Sequence, residues 1–89
     1  MILITNRTAA LTREISALTA ETETLAMIHT GDAPNHLLRA AAEAAAHVEK
    51  TAFDATATRE AALTSHRDAL RAVRKAFCAA RNAVRALAA

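Results

Sequence analysis

Apolar positions in the first third of the chain keep a strict rhythm. Ile4, Thr8, Leu11, Ile15, Leu18, Thr22, Leu25 and His29 alternate spacings of four and three without a slip. A repeat of this kind lines one stripe of a helix, as in a coiled-coil seam. It predicts a core-facing helix over about residues 6–29. The only Gly and the only Pro then fall together in Thr30-Gly31-Asp32-Ala33-Pro34-Asn35. Gly31 suits the left-handed conformation that closes a helix, and Pro34 suits the first turn of the next, with Asp32 or Asn35 as cap. A turn over residues 30–35 and a second helical arm over about residues 35–88 follow.

That arm carries two overlapping stripes. One keeps a single register from Leu38 through Ala41, Ala45, Val48, Ala52, Ala55, Arg59, Ala62, His66, Ala69, Val73, Ala76, Ala80 and Ala83 to Leu87. Small residues along a seam let helices approach to the short end of the usual range of about 8–10 Å. Beside it runs a heavier line, Leu63, His66, Leu70, Val73, Phe77, Ala80, Val84 and Leu87. This widens the apolar face of the C-terminal half, enough to contact two neighbours.

Unbroken, residues 35–88 form a helix about 80 Å long, more than twice the roughly 36 Å of the first at ~1.5 Å per residue. The uncovered apolar face then calls for a second chain. Residues 54–58 (Asp-Ala-Thr-Ala-Thr) are poor helix formers, and Ser65 with Asp68 has capping-box spacing, so a break near 54–58 or 64–65 is the alternative. A break makes a three-helix bundle with its first and third helices parallel. Glu14 and Glu21, flanking the first seam, would then meet Arg74 and Arg81. The unbroken alanine register tips the reading to an all-α antiparallel helical hairpin, with a short first helix and a long, bent second arm, in one domain spanning residues 1–89.

Composition sharpens this. Alanine supplies 26 residues, whereas Ile, Leu, Val and Phe together supply 18, with no Trp or Tyr. Sandwiches, barrels and Gly-rich phosphate loops are excluded, because they need turn and aromatic residues, and this chain has one Gly, one Pro and two Phe. One cysteine excludes an internal disulfide. The start of the chain lacks the continuous apolar run of a secretory signal, and no stretch approaches a spanning helix. The expectation is a cytoplasmic protein, of a cell or of an infected host, with no membrane partner. The hairpin layout resembles small secreted helical-hairpin proteins, but their turn carries Trp-x-Gly where this one reads His29-Thr30-Gly31-Asp32, and the chain has no Tyr for their tail signal, so the match is rejected.

The net charge of +2 is unevenly spread. Residues 1–58 hold four bases against seven acids, and residues 59–89 hold seven bases against two acids. Within the basic part, Arg67, Arg71, Arg74, Cys78, Arg81 and Arg85 recur at helical spacing along one flank. Guanidinium groups so arranged clasp carboxylates or track phosphates. The competing reading is a flank paired internally with Glu14, Glu21 and their neighbours. Nucleic acid is the weaker partner, since aromatic stacking residues are scarce and the acidic part opposes a polyanion.

Other chemistry is sparse. No two of His29, His36, His47 and His66 have the i, i+4 spacing of a shared metal site, and Glu43 with His47 reads as a surface pair. His66 lies in both apolar lines, where a buried polar residue sets register. Cys78 reads as an inert small residue, or as a thiolate favoured by its cationic neighbours if exposed. No catalytic motif, cofactor or metal site is expected. The function read from the sequence is a non-enzymatic protein-protein interaction module: an adaptor, an inhibitor or an assembly subunit, acting as a homo-oligomer or on an acidic protein surface. Leu70, Phe77 and Val84 are the expected apolar anchors, and Arg67, Arg71, Arg74, Arg81 and Arg85 orient the partner. The alternative is a nucleic-acid binder using the same arginines on phosphates.

Overall fold

The computed structural model describes residues 6–28 and 35–88, leaving aside the side chains of Ile28, Val84 and Ala88. Three helices account for nearly all of it: α1 (Asn6–Ile28), α2 (Asn35–Lys50) and α3 (Thr56–Ala88). The all-α expectation holds, with no strand among the described residues. Residues 30–34 of the expected turn, with Ile4 and His29 of the first stripe, lie outside the described residues.

The second arm is interrupted, so the chain adopts the three-helix alternative and not the continuous arm. The break covers residues 51–55, overlapping the first candidate stretch and starting ahead of it. The helix tightens as it ends. Thr51 N donates to both His47 O (3.2 Å) and Val48 O (3.1 Å), and Ala52 N donates to Glu49 O (3.3 Å). Thr51 Oγ1 adds a bond to Val48 O at 2.8 Å, and the residue is fully buried. Asp54 N then closes a turn on Thr51 O at 3.0 Å, and Arg59 N donates to Ala55 O as α3 starts. The last carbonyls of α2 thus find donors without glycine or proline. The other candidate, residues 64–65, runs through as helix. There Thr64 Oγ1 bonds back to Glu60 O at 2.9 Å, satisfying the hydroxyl inside the helix.

α3 is the spine. Its 33 residues make a rod about 50 Å long at ~1.5 Å per residue, close to the 55 Å longest dimension of the molecule. α1 and α2 both pack against it, yet their described backbones nowhere approach within 8 Å, Cα to Cα. The first stripe is the core face of α1: Thr8, Leu11, Ile15, Leu18, Thr22 and Leu25 are all buried. Leu11, Ile15 and Leu18 pack with Leu63 and Leu70, while Leu25 packs with Val73 and Phe77. Thr22 satisfies its hydroxyl on Thr19 O at 3.1 Å. Ala41 touches both clusters, Val48 the first and Leu37 the second, but no residue of α2 is buried. The radius of gyration of 15.0 Å exceeds the roughly 12 Å of a rounded domain of this length.

Candidate functional site

The arginine flank of α3 lies beside the acidic flank of α1. Arg7 pairs with Glu60 at 3.8 Å, Arg67 with Glu14 at 3.8 Å, and Arg74 with Glu21 at 3.5 Å. Arg71 also bonds Glu14, and Arg67 reaches its neighbour Asp68 at 3.3 Å. The three inter-helix rungs advance seven residues on each helix, so α1 and α3 run parallel. That direction agrees with the sequence reading, but the expected pairing of Glu14 with Arg74 and Glu21 with Arg81 is displaced by one heptad. Packing of Ile15, Leu18 and Leu25 against Leu63, Leu70, Val73 and Phe77 fixes this register, and the charges follow it. Pairs this exposed contribute only about 0.2–1 kcal/mol each.

The flank therefore divides. Arg67, Arg71 and Arg74 are held by glutamates of α1, as the internally paired reading has it. Arg81 is half-buried, and its Nε is buried without a hydrogen-bond partner. Arg85 is exposed. Cys78, a free thiol, is half-buried and packs against Leu25, Val73 and Phe77, which favours a structural role. Of the expected anchors, Leu70 and Phe77 are core residues, Phe77 only 2% exposed, while the side chain of Val84 lies outside the described residues. His66 is half-buried, and desolvation lowers its pKa below the ordinary 6.5. No group of three His, Cys, Asp or Glu able to hold a metal occurs among the described residues.

The separation of α1 from α2 leaves an open apolar groove of about 180 Å³. Thr22, Glu23 and Ala26 line one wall, Leu38 and Ala41 the other, and the edges of Leu70, Val73 and Phe77 form the floor. Two of the expected anchors, Leu70 and Phe77, thus border a groove from below. Sequence reasoning missed Leu38, Glu23 and Ala26 as its walls. The available signal was the small-residue run of α2, Ala40 to Ala46 around Glu43, which is too slight to fill the space beside α3. Large apolar side chains also stand exposed at both ends of the bundle. Met27, Leu38 and Leu87 lie where α1 ends and α2 begins, and Phe53, 88% exposed, lies at the opposite bend.

No protein-family model, curated protein or solved structure matches this chain. No helix among the described residues is long and apolar enough to cross a membrane.

Proposed function

We propose that this protein is a non-enzymatic helical interaction module that receives a helix in the groove between α1 and α2. One observation carries the reading: α2 has no buried residue and stays apart from α1, which leaves an apolar groove with the exposed Leu38 on its wall. Small walls and an apolar floor suit the helix-in-groove mode, in which residues at i, i+3/i+4 and i+7 enter the gap. Glu23 is the one ionisable side chain of the lining, which supports docking over catalysis. The protein acts as an adaptor, inhibitor or assembly subunit in the cytoplasm, where a lone thiol such as Cys78 stays reduced.

The nucleic-acid alternative draws less support. Phosphates on Arg67, Arg71 and Arg74 would have to displace Glu14 and Glu21. A pull-down after nuclease treatment separates the readings. Wild type should retain a protein partner that cross-links to α1 and α2, and Leu38→Glu should lose it while keeping its circular dichroism. Equal retention by Leu38→Glu, or loss of all bound material to nuclease, would overturn the groove reading.

A further inference from the structure

The ladder between α1 and α3 leaves one arginine over. Its rungs join Arg7 with Glu60, Glu14 with Arg67 and Glu21 with Arg74, partners 53 residues apart. Ile28, the last residue of α1, holds the next place on that helix, and Arg81 holds it on α3. An isoleucine brings no carboxylate. Arg81 is half-buried, and its Nε is buried with no hydrogen-bond partner. A buried donor of this kind is uncommon in a folded protein and calls for an acceptor. α3 offers none nearby: residues 69–89 contain five bases (Arg71, Arg74, Lys75, Arg81 and Arg85) and no Asp or Glu. Glu14 and Glu21 hold Arg71 and Arg74, and no carboxylate of the described residues pairs with Lys75, Arg81 or Arg85. Lys75, Asn82 and Arg85 are exposed, and at helical spacing they share one outer flank of α3 with Arg81. This flank is on the ladder side of α1, whereas the groove is on the other: Glu21 of the ladder and Glu23 of the groove wall lie on either side of the seam residue Thr22.

We propose that Arg81, with Arg85 and Lys75 beside it, receives a carboxylate from an acidic segment of a partner protein. Nε and one Nη of a guanidinium form an edge that takes both oxygens of a carboxylate. The partner's Asp or Glu supplies at Arg81 what Glu14 and Glu21 supply at Arg67 and Arg74. Arg85 and Lys75 favour a second acid one helical turn away. Arg85 stands in the last turn of α3, where it also offsets the negative end of the helix, so Arg81 carries the contact. A phosphodiester chain fits less well. It needs bases along its path, but α3 has none after Arg85, and the arginines before Lys75 are held by glutamates. The site lies on the flank away from the groove and does not depend on it.

The Nε–Hε resonance of Arg81, in an NMR spectrum of the arginine side chains, reports the contact at the atom itself. A blocked helical peptide carrying Glu at i and i+4 should shift this resonance at concentrations up to about 1 mM, and the same peptide with Gln should not. Arg81→Gln should weaken binding of the Glu peptide at least about tenfold with unchanged circular dichroism. Arg81→Lys should recover only part of it, because an ammonium lacks the two-pronged edge. Lys75→Gln should weaken it by about two- to threefold. Equal binding by wild type and Arg81→Gln, or no shift at about 1 mM peptide, would overturn the proposal. Tighter binding of a single-stranded DNA of equal charge through Arg81 would overturn it too, by giving the site to phosphate. The nearest acid beyond Ile28 along the chain is Asp32. If Asp32→Asn moves the Arg81 resonance with no peptide present, the chain fills its own site and the proposal fails.

Discussion

The two phenylalanines offer a controlled test of where the fold's free energy lies. Phe77 is 2% exposed, against Leu25 and Val73 with Leu37, Ala41 and Cys78 around it; Phe53 is 88% exposed in the bend. Phe77→Ala removes a buried ring, a change that costs about 3–5 kcal/mol in well-packed cores. Here the ring borders the open groove. Neighbours can close over the space or water can enter it, which places the cost near the lower end, about 3 kcal/mol. Domains of this length have total stabilities of about 4–13 kcal/mol, so the variant should lose a large part of its folding free energy. Phe53→Ala should change stability by no more than about 0.5 kcal/mol. Urea unfolding followed by circular dichroism measures both, and equal protein concentrations keep association from biasing the comparison. A Phe77→Ala cost under about 1 kcal/mol with an unchanged denaturant slope, or a Phe53→Ala cost as large as its partner's, would refute the packing described above.

Three further outcomes follow from the same geometry. A double-mutant cycle on Glu21→Gln and Arg74→Gln should give a coupling of about 0.2–1 kcal/mol that shrinks as salt is added, measured by thermal unfolding. Thr51→Val keeps the buried shape but removes the hydroxyl bond to Val48 O, and should cost about 1 kcal/mol in the same assay. His66 has a folded pKa below the ordinary 6.5 because burial disfavours its charged form. Its contribution to stability is therefore complete above 6.5 and declines as pH falls through 6.5 toward the folded value. In His66→Gln, stability measured across pH 5–8 should lose that part of its slope.

The seam of α1 was readable because an uninterrupted three-four spacing has one helical solution, and every described member of it is buried. The parallel pairing of α1 with α3 was readable from charge, but its register was not. A heptad stripe matches itself when slid by seven residues, and glutamates and arginines at that same period cannot choose between the matches. The shapes of Leu25 and Phe77 decide it. The break was misplaced for a related reason. Thr51, Thr56 and Thr58 share one helix propensity, and the helix stops at the buried Thr51, whose amide and hydroxyl both reach Val48 O. The groove is the distance between two backbones that each pack on a third, and the small-residue run of α2 was its only trace in the sequence.

The bend at residues 51–55 contains neither Gly nor Pro; it is closed by short-range bonds from Thr51, Ala52 and Asp54 around the buried Thr51. Residues 35–88 hold no Gly or Pro, so this segment has no hard stop to helix once α1 and α2 leave α3. The segment is then a conditional hinge, the kind of connection through which chains exchange elements with one another. Hydrodynamic size is the measure that separates a closed bundle from an opened rod.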